Sequence, residues 1–302
     1  MTDGILLVDK PAGRTSADVV RVVKRRHRLQ SIGHLGTLDP FATGVLPLCI
    51  DGGTRIAQFL AADRKAYEGR IRLGVATDTL DTTGRCVAEA PIPPLDPAQL
   101  DGVARRFVGC RDQVPPMYSA VRQGGKRLYE LARGGVVVER APRRIEIERL
   151  VLRPSTESSG IEFEVRCSKG TYVRVLAAEI GEACGTVAAL EELRRTEFGS
   201  FTIGECVALD DVLEAPAGEL PVLPPRAALR DLREIDVDGR TAFRIAAGQK
   251  GALEELPPPG ADEQLAAVIA PGDRLLAVLG AEDGAWRLRR VVLPEASELY
   301  RG

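Results

Sequence analysis

Histidine is nearly absent from this chain of 302 residues; only His27 and His34 occur, so a multi-histidine metal centre is excluded. The six cysteines (49, 86, 110, 167, 184 and 206) lie at least 17 residues apart and form no C-x-x-C pair. That argues against zinc and for reduced thiols in place of a disulfide framework. No apolar run approaches the roughly 18 residues of a membrane span. Met1-Thr2-Asp3-Gly4 has no basic residue, and Ile5-Leu6-Leu7-Val8 is too short for the apolar core of a signal peptide. A soluble, cytoplasmic protein with no membrane partner is expected. Net charge is also small: 41 Lys+Arg against 43 Asp+Glu leave −2, so any nucleic-acid partner must be recognised by local patches. The phosphate-loop, dinucleotide-loop, H-E-x-x-H and G-x-S-x-G motifs are missing. Gly124-Gly125-Lys126-Arg127 lacks the upstream glycine and the hydroxyl of a phosphate loop, and Asp236-Val237-Asp238-Gly239 runs into Arg240 where a phosphotransferase needs a hydroxyl. ATP chemistry, Rossmann redox chemistry and serine hydrolysis are set aside.

What is present is a globular composition, 44% hydrophobic and 28% charged. At roughly 150 residues per domain the length suggests two domains. Residues 5–8 read as a buried strand. A helix is expected from Thr15 or Ser16 to about Leu29, with Val19, Val20, Val22 and Val23 on one face. Arg21, Lys24, Arg25 and Arg28 fall largely on the other, as a solvated face or as phosphate contacts. Further strands are expected at 45–50, 67–74, 145–152 and 161–167, and helices at 55–61, 98–108, 172–184 and 186–195. Residues 113–144 are polar and basic, with one helix near 126–133, and read as a projection. The stretch 214–225 is the linker candidate. Residues 229–302 read as a small β-rich domain with a hairpin, 274–279 and 286–293, turning at Asp283-Gly284.

One loop is built for chemistry. Asp39 lies among three glycines (33, 36 and 44), which permit close backbone approach. Pro40 holds Asp39 extended and so aims its carboxylate, while Leu35, Leu38 and Phe41 supply apolar surroundings. An Asx-turn or helix cap is the competing, structural role for an Asp-Pro pair. A second segment, Cys167-Ser168-Lys169-Gly170-Thr171-Tyr172-Val173-Arg174, joins a strand to a helix and sets Lys169 and Arg174 near a strand end. A buried carboxylate needs a cation to stay ionised, and arginine holds one in planar bidentate geometry. The alternative for Arg174 is a surface ion pair of little energetic value.

Residues Gly33 to Gly44, Gly33-His34-Leu35-Gly36-Thr37-Leu38-Asp39-Pro40-Phe41-Ala42-Thr43-Gly44, resemble the signature loop of the TruB family of tRNA pseudouridine synthases. Asp9-Lys10-Pro11-Ala12-Gly13, Lys65-Ala66-Tyr67-Glu68, Thr77-Asp78-Thr79-Leu80-Asp81, Pro115-Pro116-Met117-Tyr118-Ser119-Ala120, the segment ending at Arg174, and Leu193-Arg194-Arg195 match in order. The resemblance covers residues 4 to about 213. It implies an α+β fold: a pseudouridine-synthase catalytic domain (1–228) on a mixed, largely antiparallel sheet, with an RNA-gripping thumb at about 113–144. Residues 229–302 would be a PUA-like RNA-binding domain, similar only in size and hairpin pattern. The implied activity is conversion of uridine 55, in the TΨC arm of tRNA, to pseudouridine without metal or cofactor. Asp39 falls at the catalytic aspartate, Arg174 at its ion-pair partner, and Tyr67 at the residue that stacks on the base and can take the C5 proton. His34, Tyr172, Lys10 and Leu193 fall at substrate-binding or supporting positions.

Asp39 can then attack C1′, add to C6, or deprotonate C2′; each route needs an ionised carboxylate. A phenol with pKa near 10 needs a nearby cation to act as a base, and Arg174 is the expected helper. A non-catalytic RNA-binding protein would be marked by loss of Asp39, Tyr67 or Arg174, and all three are present. A guide-RNA-dependent synthase is the closer rival. The 113–144 insertion and the lack of a long basic tail favour a stand-alone monomer that needs tRNA and no protein partner.

Overall fold

The computed structural model describes residues 3–60, 63–119, 122, 123, 126, 127, 136, 138–156, 159–216 and 218–292. In β1 (Gly4–Lys10), Ile5 and Leu7 enter one apolar cluster and Leu6 and Val8 another, and all four are buried. A strand buried on both faces needs its sheet covered twice. α1 (Ser16–His27) covers one face with Val19 and Val23, started by a reciprocal capping box between Thr15 and Asp18 and stopped by left-handed Arg28.

The chain then supplies β2 (Ile32–His34), β3 (Thr43–Ile50) and β4 (Arg64–Leu73), a side hairpin of β5 (Val75–Thr77) and β6 (Cys86–Glu89), and α2 (Pro97–Phe107). Next come β7 (Gly109–Gln113), the short pair β8 (Arg122–Gln123) and β9 (Lys126–Arg127), β10 (Arg143–Pro154), β11 (Gly160–Ser168) and α3 (Val173–Ala183). The large sheet is completed by β12 (Ala188–Phe198), β13 (Phe201–Thr202), β14 (Val207–Ala208) and, beyond α4 (Leu209–Glu214), β15 (Val222–Leu223). Its main order is β14-β1-β3-β12-β4-β11-β10-β7, antiparallel except for β1 with β14 and β3 with β12. This is the mixed, largely antiparallel sheet of the expected α+β fold. Helices α1, α2 and α3 share one face. Gln113 and Arg143 are cross-strand partners, so residues 114–142 leave and re-enter the sheet at one point.

The opposite face of β1 and β3 is covered by a second sheet of β16 (Arg233–Asp236), β17 (Leu265–Ala270), β18 (Arg274–Glu282) and β19 (Ala285–Val291), reached through α5 (Pro225–Ala228). Ala267, Ile269, Leu275 and Val278 pack with Ile5, Leu7, Val45 and Cys49. On its other side α6 (Gly239–Ala246) buries Ala242 and Ile245. Asp283 and Gly284 both take positive φ, the geometry of the tight hairpin that the sequence signalled. Among the described residues no helix is long and apolar enough to cross a membrane.

Four expectations need correction. Residues 188–198 form β12, between β3 and β4, and not a helix. Leu190 to Arg195 are good helix formers, but sheet packing overrides propensity. Register shifts at Leu190/Glu192 and Arg195/Glu197 also break the alternation that marks a strand. The helix expected at 55–61 is two 3-10 turns, Asp51–Arg55 and Ala57–Phe59. Lys126–Arg127 pairs with Arg122–Gln123 instead of opening a helix; an intervening Gly-Gly favours a tight hairpin. The remainder of that expected helix, 128–133, lies outside the described residues. Finally, the linker candidate is not free chain: β15 pairs with the first half of β1 while β14 pairs with the second, and Leu220 is buried.

The sheet forks at β3. Its outer edge pairs with β12 only at Thr43 and Gly44, and with β2 only from Leu48 to Ile50. The loop 35–42 fills the fork. Gly44 makes it possible, with φ +102° and an Arg195 carbonyl oxygen 2.2 Å from where a Cβ would lie. Gly44→Ala is therefore expected to destabilise the protein by about 1–3 kcal/mol in denaturant unfolding. Gly102→Ala, on α2 with nothing within 4 Å of the new methyl, is expected to stabilise it by about 0.5–1 kcal/mol. Equal effects would contradict the close approach at the fork.

Candidate active site

The loop 35–42 contributes few side-chain anchors of its own and is held by its neighbours. Ser16 Oγ accepts from the Leu38 N–H at 2.9 Å and donates to the Leu38 carbonyl at 3.2 Å. The Gly13 N–H reaches the Pro40 carbonyl at 2.8 Å. Two cations, each 0% exposed, complete the grip. Lys10 Nζ donates to the carbonyls of Pro11 (2.8 Å), Arg14 (2.7 Å) and Pro40 (3.2 Å). Arg195 donates to those of Val45 (2.8 Å), Gly36 (3.0 Å) and Thr37 (3.5 Å), bridging the fork. Next to it, Arg194 joins β12 to β1 by a fork on Asp9 at 2.7 and 3.2 Å.

Held this way, Asp39 meets Arg174 from the first turn of α3. Arg174 Nε lies 2.9 Å from Asp39 Oδ2, and one terminal nitrogen donates to Oδ1 at 3.3 Å. The same guanidinium donates to the carbonyls of Thr79 (2.9 Å) and Tyr118 (2.8 Å) and faces Asp81 at 3.5 Å. The guanidinium thus makes three hydrogen bonds and ion-pairs with two carboxylates. Arg174 is buried, whereas the Asp39 side chain keeps 34% of its surface open, so one side of the carboxylate stays available. Burial pushes the Asp39 carboxyl above the usual range; Arg174 pulls it back, Asp81 adds to the push, and Lys10 opposes it. Burial is also the main cause that lowers Lys10 to about 8.

Tyr67 is buried on β4, in cross-strand register with Arg195. Burial pushes its phenol up, and the Arg195 guanidinium, by charge and hydrogen bond, pulls it down. The cation beside the phenol is thus Arg195 and not Arg174, because Arg174 spends its donors on Asp39, Asp81 and two carbonyls. Leu38, Tyr67, Val173 and Leu193 share one buried apolar cluster. His34 ends β2, half-buried, its Nδ1 without a hydrogen-bond partner and its pKa lowered by burial and by Arg195. Tyr172 precedes α3, its backbone held from both sides by the Gln113 amide at 2.8 and 3.2 Å. Asp39, Arg174, Tyr67 and Lys10 come together; His34 and Leu193 flank them.

Lys169 does not join them. It pairs with Asp63 at 2.6 Å on the surface, both side chains more than two-thirds exposed, an arrangement worth little. Arg21 pairs with Asp18 at 2.7 Å, while Lys24, Arg25 and Arg28 stay exposed. Two residues with no role assigned from sequence belong to the site. Asp81, buried in a turn with Thr79 and Thr83, orients Arg174. Arg195 was obscured because its segment read as a helix. The surrounding hydroxyl run, Thr77-Asp78-Thr79-Leu80-Asp81-Thr82-Thr83, was the available signal for Asp81. Among the described residues no group of three or more His, Cys, Asp or Glu is arranged to hold a metal.

Residues 24–173 match the family model described as TruB family pseudouridylate synthase (N terminal domain), and 174–221 match that of the tRNA pseudouridylate synthase B C-terminal domain. The tRNA pseudouridine synthase B of Symbiobacterium thermophilum is 46% identical over 254 residues, 83% of this chain and 84% of that protein. That of Burkholderia pseudomallei is 41% identical over 298 residues, 97% and 98% of the two chains. Among solved structures, a chain of a Cbf5-Nop10-Gar1 complex superposes with a TM-score of 0.74 at 23% identity, covering 97% of this chain and 86% of its own. That likeness carries the fold alone.

The electrostatics of the pair can be read directly by carboxyl NMR titration of Asp39. Arg174→Gln removes the largest influence holding the carboxyl down, so its midpoint should move to higher pH. Asp81→Asn removes a like charge, so the midpoint should move to lower pH. Midpoints that stay fixed in both variants would contradict the arrangement.

Proposed function

The chain belongs to the TruB family of pseudouridine synthases, and we propose that it isomerises uridine 55 in the TΨC arm of tRNA. The observation that carries this reading is the fork of Arg174 on Asp39, buried behind the carboxylate and open in front. Such a pair favours the charged carboxylate that each route to cleavage requires, and leaves one side free for a nucleotide.

A stacked uridine must first be flipped out, at a cost of a few kcal/mol. Stacking on the Tyr67 ring offsets about 1–3 kcal/mol of that. The N1–C1′ bond then breaks, the uracil turns, and C5 bonds to C1′. One proton leaves C5 and one is gained at N1, so the atoms balance without a co-substrate. Asp39 serves the cleavage, and the C5 proton is taken by Tyr67 as the phenolate, a form that the adjacent Arg195 charge favours against burial. His34, Tyr172 and Leu193 contact the nucleotide, and Lys10 positions the Asp39 loop.

In this reading residues 1–228 form the catalytic domain, with a thumb at about 113–144 that grips RNA. Residues 229–302 form a PUA-like accessory clamp. The protein acts on tRNA as a monomer without a protein partner, and exposed Lys24, Arg25 and Arg28 contact phosphates.

The test is single-turnover pseudouridine mapping on unmodified tRNA at saturating protein. Asp39→Asn should bind tRNA within a few-fold of wild type and form no product. Tyr67→Phe should bind nearly normally but lose most of its rate. Arg174→Lys should also be severely slowed, since the charge remains but the fork is lost. Wild-type turnover in Asp39→Asn would overturn the assignment, and in Tyr67→Phe it would reduce Tyr67 to a stacking platform.

A further inference from the structure

Lys65 stands on β4 two residues before Tyr67, so the two side chains leave the same face of the strand, about 7 Å apart. Its cross-strand neighbours are Cys167 on β11 and Phe198 on β12, and its Nζ lies 5.2 Å from the centre of the Phe198 ring. That ring also abuts the Asp39 loop: a Cβ on Gly36 would lie 2.6 Å from Phe198 Cε2. Lys65 is therefore beside both the tyrosine and the loop.

The exposed basic residues around it have acidic partners. Arg64 pairs with Glu148 at 2.6 Å, Lys169 with Asp63 at 2.6 Å, and Arg166 with Glu197 at 3.2 Å. Among the described residues the Lys65 ammonium meets an aromatic ring and no carboxylate. Burial, then Arg195, bring its pKa down to about 8; the Cys167 thiol raises it and Lys169 lowers it. A half-buried ammonium crowded by cations and lacking a counter-ion is stabilised by an incoming anion. RNA delivers one with every nucleotide.

We propose that Lys65 is a phosphate-binding residue of the catalytic site, its ammonium receiving a phosphate that flanks the uridine stacked on Tyr67. This rests on the reading of Tyr67 as the stacking platform. It differs from the helix and thumb contacts, which hold the body of the tRNA, because it acts on the flipped nucleotide itself.

The test uses a stem-loop RNA with one neutral methylphosphonate, placed 5′ or 3′ to the target uridine. It is bound by the Asp39→Asn protein, so that the RNA stays unconverted. One of the two neutral linkages should weaken binding, and the same linkage should make no difference once Lys65→Met is added. With unmodified RNA, Lys65→Met should reduce the magnitude of the salt slope of log K by about 0.7–0.9, and Lys65→Arg should restore it. Affinity should also fall as pH rises past about 8, and less steeply with Lys65→Arg, which stays charged. Lys10 titrates in the same range but is present in both proteins, so the difference reports Lys65.

If neither linkage matters, or if Lys65→Met leaves the slope and the linkage effect unchanged, the proposal is overturned. The linkage experiment on the Lys65-containing protein needs no Lys65 variant to fold. Failure of wild-type protein to form pseudouridine in unmodified RNA would instead remove the functional reading beneath it.

Discussion

Two buried cations bonded to backbone carbonyls hold the Asp39 loop, and the rest of the site depends on them. Lys10 and Arg195 are both fully buried, and each donates to three main-chain oxygens. Burying a charge costs several kcal/mol. Each charge-assisted hydrogen bond offsets about 1.5–3 kcal/mol, so several must converge for the arrangement to persist. The lowered Lys10 pKa indicates that the offset is incomplete. The cost is borne at the site that needs positive potential around one carboxylate.

That requirement accounts for the fork in the sheet. A continuous β3–β12 ladder would leave no room for the loop 35–42 and would pair the Val45 carbonyl that Arg195 now takes. Strand divergence, the positive φ of Gly44 and the Arg195 side chain are thus one feature seen in three ways. The second sheet supports it from behind, burying the outer face of β1 and β3 with Ala267, Ile269 and Val278. The strands that carry Lys10 and Gly44 are consequently buried on both faces, and the site is built on rigid elements.

Much of this was legible in the sequence. A short apolar run revealed β1, alternation revealed β4, capping chemistry revealed α1, and Asp283-Gly284 revealed the distal hairpin; the strands expected at 145–152 and 161–167 are β10 and β11. Asp39 and Arg174 stood out because residue type and setting pointed to a paired carboxylate, and the structure brings them together across 135 residues of sequence. Where reading failed, a tertiary effect had overridden a local one. β12 carries helix-forming residues and two register shifts, so neither propensity nor period announced it. With β12 unread, Arg195 had no place, and the cation at Tyr67 was assigned to Arg174. Asp81 was missed because its partner is a side chain 93 positions away; the hydroxyl run around it marks the turn but not that pairing.

The central claim is that cation–carbonyl bonds, and not the intrinsic stiffness of the loop, fix Asp39 in place. Hydrogen exchange tests it most directly, with Lys10→Met compared against wild type. The Leu38 and Ala42 amides, bonded to Ser16 Oγ and to the Asp39 carbonyl, report on the loop. The Ile71 and Val165 amides report on the sheet. The account predicts that loop protection falls relative to sheet protection in Lys10→Met. An unchanged ratio between the two would contradict it.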